Sequence, residues 1–170
     1  MLILVTGGSA SGKSAYAEEL VAGLGEKMRY YIATMEMLDQ ESTERVAIHR
    51  KLRENKGFHT IELARGLKKA SSLIFAGGTG LLECLSNLLA NEMYSPLGAG
   101  EDAVTEILAG IEALNKKLTH LVIVSNEIFA DGLQEDTMDD YIQNLGRLNQ
   151  AIAAKADRVI EVVCGMGIEH

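Results

Sequence analysis

The segment Gly7-Gly8-Ser9-Ala10-Ser11-Gly12-Lys13-Ser14 fits the spacing G-x-x-x-x-G-K-[ST]. Glycines let a backbone turn tightly, so that successive N–H groups point inward at a chain of phosphates. A helix that starts at this point aims its positive end at the same anion. Lys13 then reaches the β- and γ-phosphates, and the Ser14 hydroxyl ligates Mg²⁺. The alternative is an ordinary Gly/Ser-rich turn. The octet follows an apolar run and opens a helical pattern, which is the context a phosphate-binding loop requires. Such a site also needs an acid at the end of another buried strand, to hold the metal's water shell. Glu83 in the stretch GLLEC, directly after two leucines, is the first candidate, and Glu127 in VIVSNE is the runner-up. A buried carboxylate is costly unless it faces a cation or polar partners.

A second constellation surrounds His49 in STERVAIHRKLREN, which has helical spacing. Arg45 and Arg53 stand at i−4 and i+4 and share its face, while Arg50 and Lys51 follow it directly. Nearby cations disfavour imidazolium and leave a ring nitrogen neutral and nucleophilic. The same cations bind a phosphate chain. A nucleophilic nitrogen beside phosphate-binding arginines is what nucleotidyl transfer through a covalent intermediate needs. Taken alone, a histidine on a charged helix is an ordinary solvated residue. His59 and His120 flank strand patterns and are expected to be structural or surface residues, and His170 is terminal and expected to be disordered. Met35, Met37 and Met93 are expected to pack or to sit in loops rather than to act as ligands.

These residues need elements to hold them, and the chain alternates strand and helix patterns. Strands are expected at Leu2–Val5, Met28–Ala33, Phe58–Leu63 (more exposed), Gly80–Cys84, Leu121–Ser125 and Arg158–Val163. Helical patterns cover Ser14–Leu24, about Asp39–Asn55, Leu67–Ile74, the run LSNLLANEM, Glu101–Lys117 and Asp136–Ala156. The stretch SPLGAG is a loop and holds the one proline. This alternation predicts an α/β fold of the P-loop NTPase-like, doubly wound type: a mostly parallel sheet with helices on both faces. Ligands in such sheets sit at the carboxyl ends of the strands, where the opening motif lies.

At 170 residues the length predicts a single domain, 1–170, with a sizeable core. A net charge of −8 speaks against a broad nucleic-acid-binding face, although one cleft can still bind an anion. Cys84 and Cys164 have neither disulfide-framework nor metal-site spacing and are expected to be small buried hydrophobes in a reducing cytoplasm. The N-terminal apolar run is short, with no basic segment before it, so no signal peptide is expected. No apolar stretch has the length of a membrane helix, so a cytoplasmic protein is expected. The [NT]KxD base-reading motif of small GTPases is absent.

In order, MLILVTGGSASGKS, YIAT, ERVAIHRKLR, LLEC, SNE and LGRLNQAIAAKADRVIEVVCGMGI resemble the bifunctional adenosylcobinamide kinase/adenosylcobinamide-phosphate guanylyltransferases of cobalamin biosynthesis, across nearly the whole chain. The loop motif is shared with many families. The spacing from that loop through YIAT to the R-x-x-x-H-x-x-x-R helix is far more specific. The resemblance implies a P-loop fold assembled as a homotrimer, nucleotide and corrinoid partners, and Mg²⁺. It implies phosphorylation of adenosylcobinamide by ATP or GTP, then transfer of GMP from GTP to the resulting phosphate. His49 matches the histidine that carries GMP, with Lys13 as the other catalytic residue. Nucleotide contacts map to Gly7, Gly8, Ser9, Ala10, Ser11, Gly12, Lys13, Ser14, Ala33, Thr34, Met35, Arg50, Lys51, Leu52, Arg53, Glu62 and Glu83, with Ser14 and Glu83 toward the metal.

The sequence also departs from the family's pattern. After SNE it runs IFADGLQED with no proline, Asp139 and Ile142 stand where arginines are common, and Glu54 replaces a proline. These changes bear on the acceptor pocket or on subunit contacts. Two other readings therefore stand beside the first. One is a divergent P-loop small-molecule kinase or nucleotidyltransferase with another acceptor, and the other is a nucleotide-binding regulatory module. A nucleophile such as His49 argues against the module, since binding alone needs none.

Overall fold

A computed structural model describes residues 1–36, 56–127 and 136–170, with the backbone alone for 136–138. The helical pattern expected over about Asp39–Asn55 lies outside the described residues.

The sheet has seven strands: β1 (Leu2–Thr6), β2 (Arg29–Ala33), β3 (Phe58–Glu62), β4 (Thr79–Leu82), β5 (His120–Val124), β6 (Arg158–Val163) and β7 (Met166–Glu169). Their order across the sheet is β3-β2-β4-β5-β1-β6-β7. All pairings are parallel except β6 with β7. The helices are α1 (Lys13–Gly23), α2 (Ala70–Leu73), α3 (Leu85–Tyr94), α4 (Ala103–Lys117) and α5 (Asp136–Ala153).

The interior strands β1, β2, β4 and β5 are near-continuous apolar runs because both of their faces are covered. Alternate residues go to opposite sides. Ile3, Val5, Tyr31, Leu81, Val122 and Val124 join Ala17 and Val21 of α1. Leu2, Leu4, Ile32, Leu82, Leu121 and Ile123 join the apolar faces of α3, α4 and α5, through residues such as Leu88, Leu89, Ile107, Leu114, Leu145 and Leu148. Helices thus cover both faces, as the alternating pattern predicts. The edge strand β3 is largely exposed, also as expected.

Several boundaries differ from the sequence expectation. The segment expected as a helix over Leu67–Ile74 is a 3₁₀ turn, Leu67–Lys69, followed by the single turn of α2. Gly66 opens it in a left-handed conformation and Ile74 closes it extended, which leaves little length for α-helix between them. Strand β7 was not foreseen. It pairs antiparallel with β6 from Ile160↔Glu169 to Val163↔Met166. His170 continues this pairing: its amide donates to the Val159 carbonyl at 3.0 Å, and its Nε2 lies 3.3 Å from Glu161 Oε2. Cys164, expected buried, is exposed at the turn of this hairpin, whereas Cys84 is half-buried. Among the described residues no helix is long and apolar enough to cross a membrane.

Candidate active site

The buried strand β1 ends at Thr6, and the chain then turns sharply. Gly7 has φ +153°, and a Cβ there would lie 2.6 Å from the Val162 carbonyl oxygen, so glycine is required on both counts. Ala10 (φ 56°) and Gly12 (φ 88°) are left-handed, and the Ser11 amide donates to the Gly8 carbonyl at 3.3 Å. Gly12 opens α1, and its carbonyl accepts from the Tyr16 amide at 3.0 Å. Among the described residues no side chain caps α1, and its first turn holds no acid. The first amides of α1 are therefore oriented to meet an anion, with the positive end of the helix behind them.

Lys13 is buried, at 9% exposure, and its Nζ donates to the Gly8 carbonyl at 2.9 Å. Burial lowers its pKa, while the neighbouring Cys84 and Glu127 pull it back up. Of the two acids proposed from sequence, Glu127 is the one among the groups that raise the Lys13 pKa. Its backbone amide also donates to the Gly7 carbonyl at 3.2 Å, joining the end of β5 to the start of the loop. Glu83 follows β4 directly, half-buried, with its amide on the Ile32 carbonyl at 3.1 Å. Ser14 is exposed in the first turn of α1. A helix-start hydroxyl and hard carboxylate oxygens at neighbouring strand ends make a donor set that suits Mg²⁺ arriving on a nucleotide.

The remaining positions line the same sheet edge. Ala33 ends β2 opposite Glu62, which ends β3 and is exposed. Thr34 is fully buried: its hydroxyl donates to the Cys84 carbonyl at 3.1 Å, and its carbonyl accepts from Asn91 Nδ2 at 2.8 Å. Met35 is half-buried beyond it. The strand ends thus bring Gly7–Ser14, Ala33, Glu62, Glu83 and Glu127 to one side of the molecule. His49, Arg50, Lys51, Leu52 and Arg53 lie outside the described residues, as does Arg45.

Beside this edge, a cavity of about 440 Å³ is lined in part by Glu62, Arg65, Lys69 and Glu92. Another, of about 570 Å³, is lined in part by Glu36, Arg65, Tyr94 and Leu97. Arg65 joins their walls: its guanidinium pairs with Glu36 and donates to the Ser95 hydroxyl at 2.9 Å.

Sequence reasoning missed the polar network that holds the loop's surroundings. Asn126 Nδ2 donates to the Ser86 hydroxyl at 2.6 Å, and that hydroxyl lies 3.0 Å from Cys84 Sγ. The Tyr141 hydroxyl donates to the Ser86 carbonyl at 3.0 Å. Ser125 donates to Asn149 Oδ1 at 2.7 Å. The network ties the ends of β4 and β5 to α3 and α5. The available signal was the run of small polar residues directly after two apolar strands, CLS after LLE and SNE after VIV.

A family model described as cobinamide kinase / cobinamide phosphate guanyltransferase matches residues 3–169. The bifunctional adenosylcobalamin biosynthesis protein CobU of Escherichia coli (strain K12) is 32% identical over 182 residues, with 99% of each chain covered. Its namesake in Salmonella typhimurium is 33% identical with the same coverage. The bifunctional adenosylcobalamin biosynthesis protein CobP of Pseudomonas aeruginosa is 33% identical, covering 96% of this chain and 93% of that protein. Among solved structures, a prototypical ATPase from the type III secretion system of pathogenic bacteria matches with a TM-score of 0.52 at 13% identity. That likeness covers 99% of this chain and 56% of the ATPase, and it concerns the fold alone.

Proposed function

The chain belongs to the cobinamide kinase / cobinamide phosphate guanyltransferase family, and from that premise we propose that it phosphorylates adenosylcobinamide with ATP or GTP and then transfers GMP from GTP to adenosylcobinamide phosphate, in cobalamin biosynthesis. One observation carries this: the match runs through both the folded phosphate loop, with Lys13 buried inside it, and the segment that holds His49.

In the kinase half, the acceptor hydroxyl oxygen attacks the γ-phosphorus, the β–γ bridging P–O bond breaks, the nucleoside diphosphate leaves and the hydroxyl proton is released. The loop amides of Gly7–Ser14 and the Lys13 ammonium stabilise the charge that develops on the phosphoryl oxygens. Ser14 and Glu83, with the nucleotide's phosphates, would hold Mg²⁺, which would supply further charge neutralisation. In the transfer half, a His49 ring nitrogen forms a bond to the α-phosphorus of GTP and pyrophosphate leaves. An oxygen of the corrinoid phosphate then attacks the same phosphorus, the P–N bond breaks and the GDP-linked corrinoid forms. Arg50, Lys51, Leu52, Arg53, Ala33, Thr34, Met35 and Glu62 complete the nucleotide contacts. The working form is a cytoplasmic homotrimer.

The test is a product assay with adenosylcobinamide, GTP and Mg²⁺, run beside incubation of the protein with α-labelled GTP. Expected are the GDP-linked corrinoid and an acid-labile, base-stable label on the protein that His49→Ala removes, with the kinase step spared. A His49→Ala protein that made the GDP-linked product at the wild-type rate would refute the carrier role. A phosphorylated product with no protein label would instead favour a simple kinase.

A further inference from the structure

The turn of the β6–β7 hairpin meets the phosphate loop from outside. The Gly165 amide donates to the Ser11 carbonyl at 2.8 Å. A Cβ on Gly12 would stand 3.2 Å from the Gly165 Cα, so the two backbones are in direct contact. Farther down the hairpin, the Val162 carbonyl fills the space that a Gly7 side chain would need. Tyr16, in the first turn of α1, lies so close to Gly167 that any side chain there would overlap its ring. The hairpin therefore touches the loop at its start and near Ser11–Gly12, and touches α1 just beyond it, yet lies outside the motif.

A loop that turns its amides inward to phosphates turns carbonyls outward, and a carbonyl in a packed setting needs a donor. Ser11 immediately precedes Gly12 and Lys13, so the orientation of its peptide plane bears on the next amides in the cradle. Gly165 supplies the donor because the hairpin turn has two consecutive residues at positive φ, Cys164 at 50° and Gly165 at 81°. They sit between the paired Val163 and Met166, the arrangement of a two-residue turn whose twist matches the strands.

We propose that the hairpin tip, Cys164–Gly165, is a positioning element of the nucleotide site and holds the phosphate loop in its anion-binding shape through the Gly165 amide. This rests on the reading above that the loop binds a nucleoside triphosphate, and it assigns part of that binding to the far end of the chain. Position 165 allows a clean test, because a Cβ there would meet nothing within 4 Å. A substitution acts through the backbone alone. Valine resists positive φ, whereas asparagine tolerates it.

The experiment titrates MgGTP and MgATP into the full-length wild type, Gly165→Val and Gly165→Asn by calorimetry, alongside thermal melts. Gly165→Val is expected to weaken nucleotide binding about ten-fold, and Gly165→Asn is expected to restore it. In turnover, the KM for nucleotide should rise in the valine variant with a smaller change in kcat. A folded Gly165→Val protein that binds as tightly as wild type overturns the proposal, whatever its melting temperature. A wild type that binds neither nucleotide overturns the functional reading and the proposal with it. If Gly165→Val does not fold, hydrogen exchange of the wild type decides: slowing at residues 162–167 on adding MgGTP supports the brace, and slowing confined to residues 7–16 overturns it.

Discussion

The Lys13 ammonium donates to the Gly8 carbonyl at 2.9 Å, across the phosphate loop from the residue that carries it. That bond uses one of the ammonium's three N–H donors and leaves the others for the oxygens of an incoming triphosphate. Bonds from a cation to an anionic acceptor are the stronger. The expected consequence is asymmetric. Lys13→Met should keep the fold, since its methylenes still fill the buried channel, but lower phosphoryl transfer by about 10²–10³-fold, the usual loss for one donor aimed at developing charge. Steady-state kinase assays beside circular dichroism check this. A variant within a few-fold of wild type would remove Lys13 from the chemistry.

Glu92 makes a different kind of tie. It is 3% exposed, and its two carboxylate oxygens accept from the amides of Gly66 at 2.6 Å and Ala99 at 3.0 Å. One side chain thereby pins the turn before α2 and the loop before α4, on the wall of the cavity beside Glu62. Glu92→Gln keeps the shape but turns an NH₂ group toward one of those amides. The loss of one charged acceptor at a buried donor is expected to cost about 1–3 kcal/mol, read as a lower midpoint in urea with an unchanged slope.

Gly110 tests which of two opposing effects wins. It lies in the middle of α4, where alanine improves helix propensity by about 1 kcal/mol. A Cβ there would meet Leu67 Cβ at 2.7 Å and the Lys68 backbone nitrogen at 3.0 Å. Neither is the far end of a flexible chain, so the clash has to be relieved by moving the 3₁₀ turn. Overpacking of this kind costs about 1–3 kcal/mol. Gly110→Ala is therefore expected to destabilise the protein despite the better propensity, and a raised melting temperature would show that the turn yields easily.

The extent to which sequence foretold structure follows from where the stabilising contacts lie. Strands β1, β2, β4 and β5 were legible because burial on two faces forces continuous apolar runs, and the phosphate loop because its chemistry fixes both residue types and spacing. Strand β7 was not legible: Met-Gly-Ile-Glu is short and exposed at every residue, and it exists because β6 offers an edge and Cys164–Gly165 a turn. A cysteine at positive φ is no turn signal. At the site, Glu83 and Glu127 are equivalent in sequence, each an acid after an apolar strand. Only the fold tells them apart: the Glu127 amide donates to the Gly7 carbonyl at the start of the loop, whereas the Glu83 amide donates to the Ile32 carbonyl of β2. Asn126 and Ser86 follow apolar strands, which is a weak local signal, but that they meet each other and Tyr141 depends on separate elements packing together.

Tyr141 carries the pH prediction. Burial raises its pKa from 10.0 to about 12, while its hydroxyl donates to the Ser86 carbonyl at 3.0 Å. The fold thus favours the neutral phenol. Below pH 10 the phenol is protonated in both states, and the stabilisation is fully present. Between about 10 and about 12 the unfolded chain gives up its proton first, binds fewer protons than the native state, and stability falls as pH rises. Tyr141→Phe removes that titration and also one hydrogen bond, leaving the Ser86 carbonyl without its donor. Near neutral pH the variant is expected to be less stable by about 1 kcal/mol. As pH rises toward about 11 its stability should decline less steeply than that of the wild type. Urea unfolding curves for both proteins across that range give the comparison. Parallel declines would mean that the phenol of Tyr141 is hydrated in the native protein and that Ser86 is not tied to α5 through it.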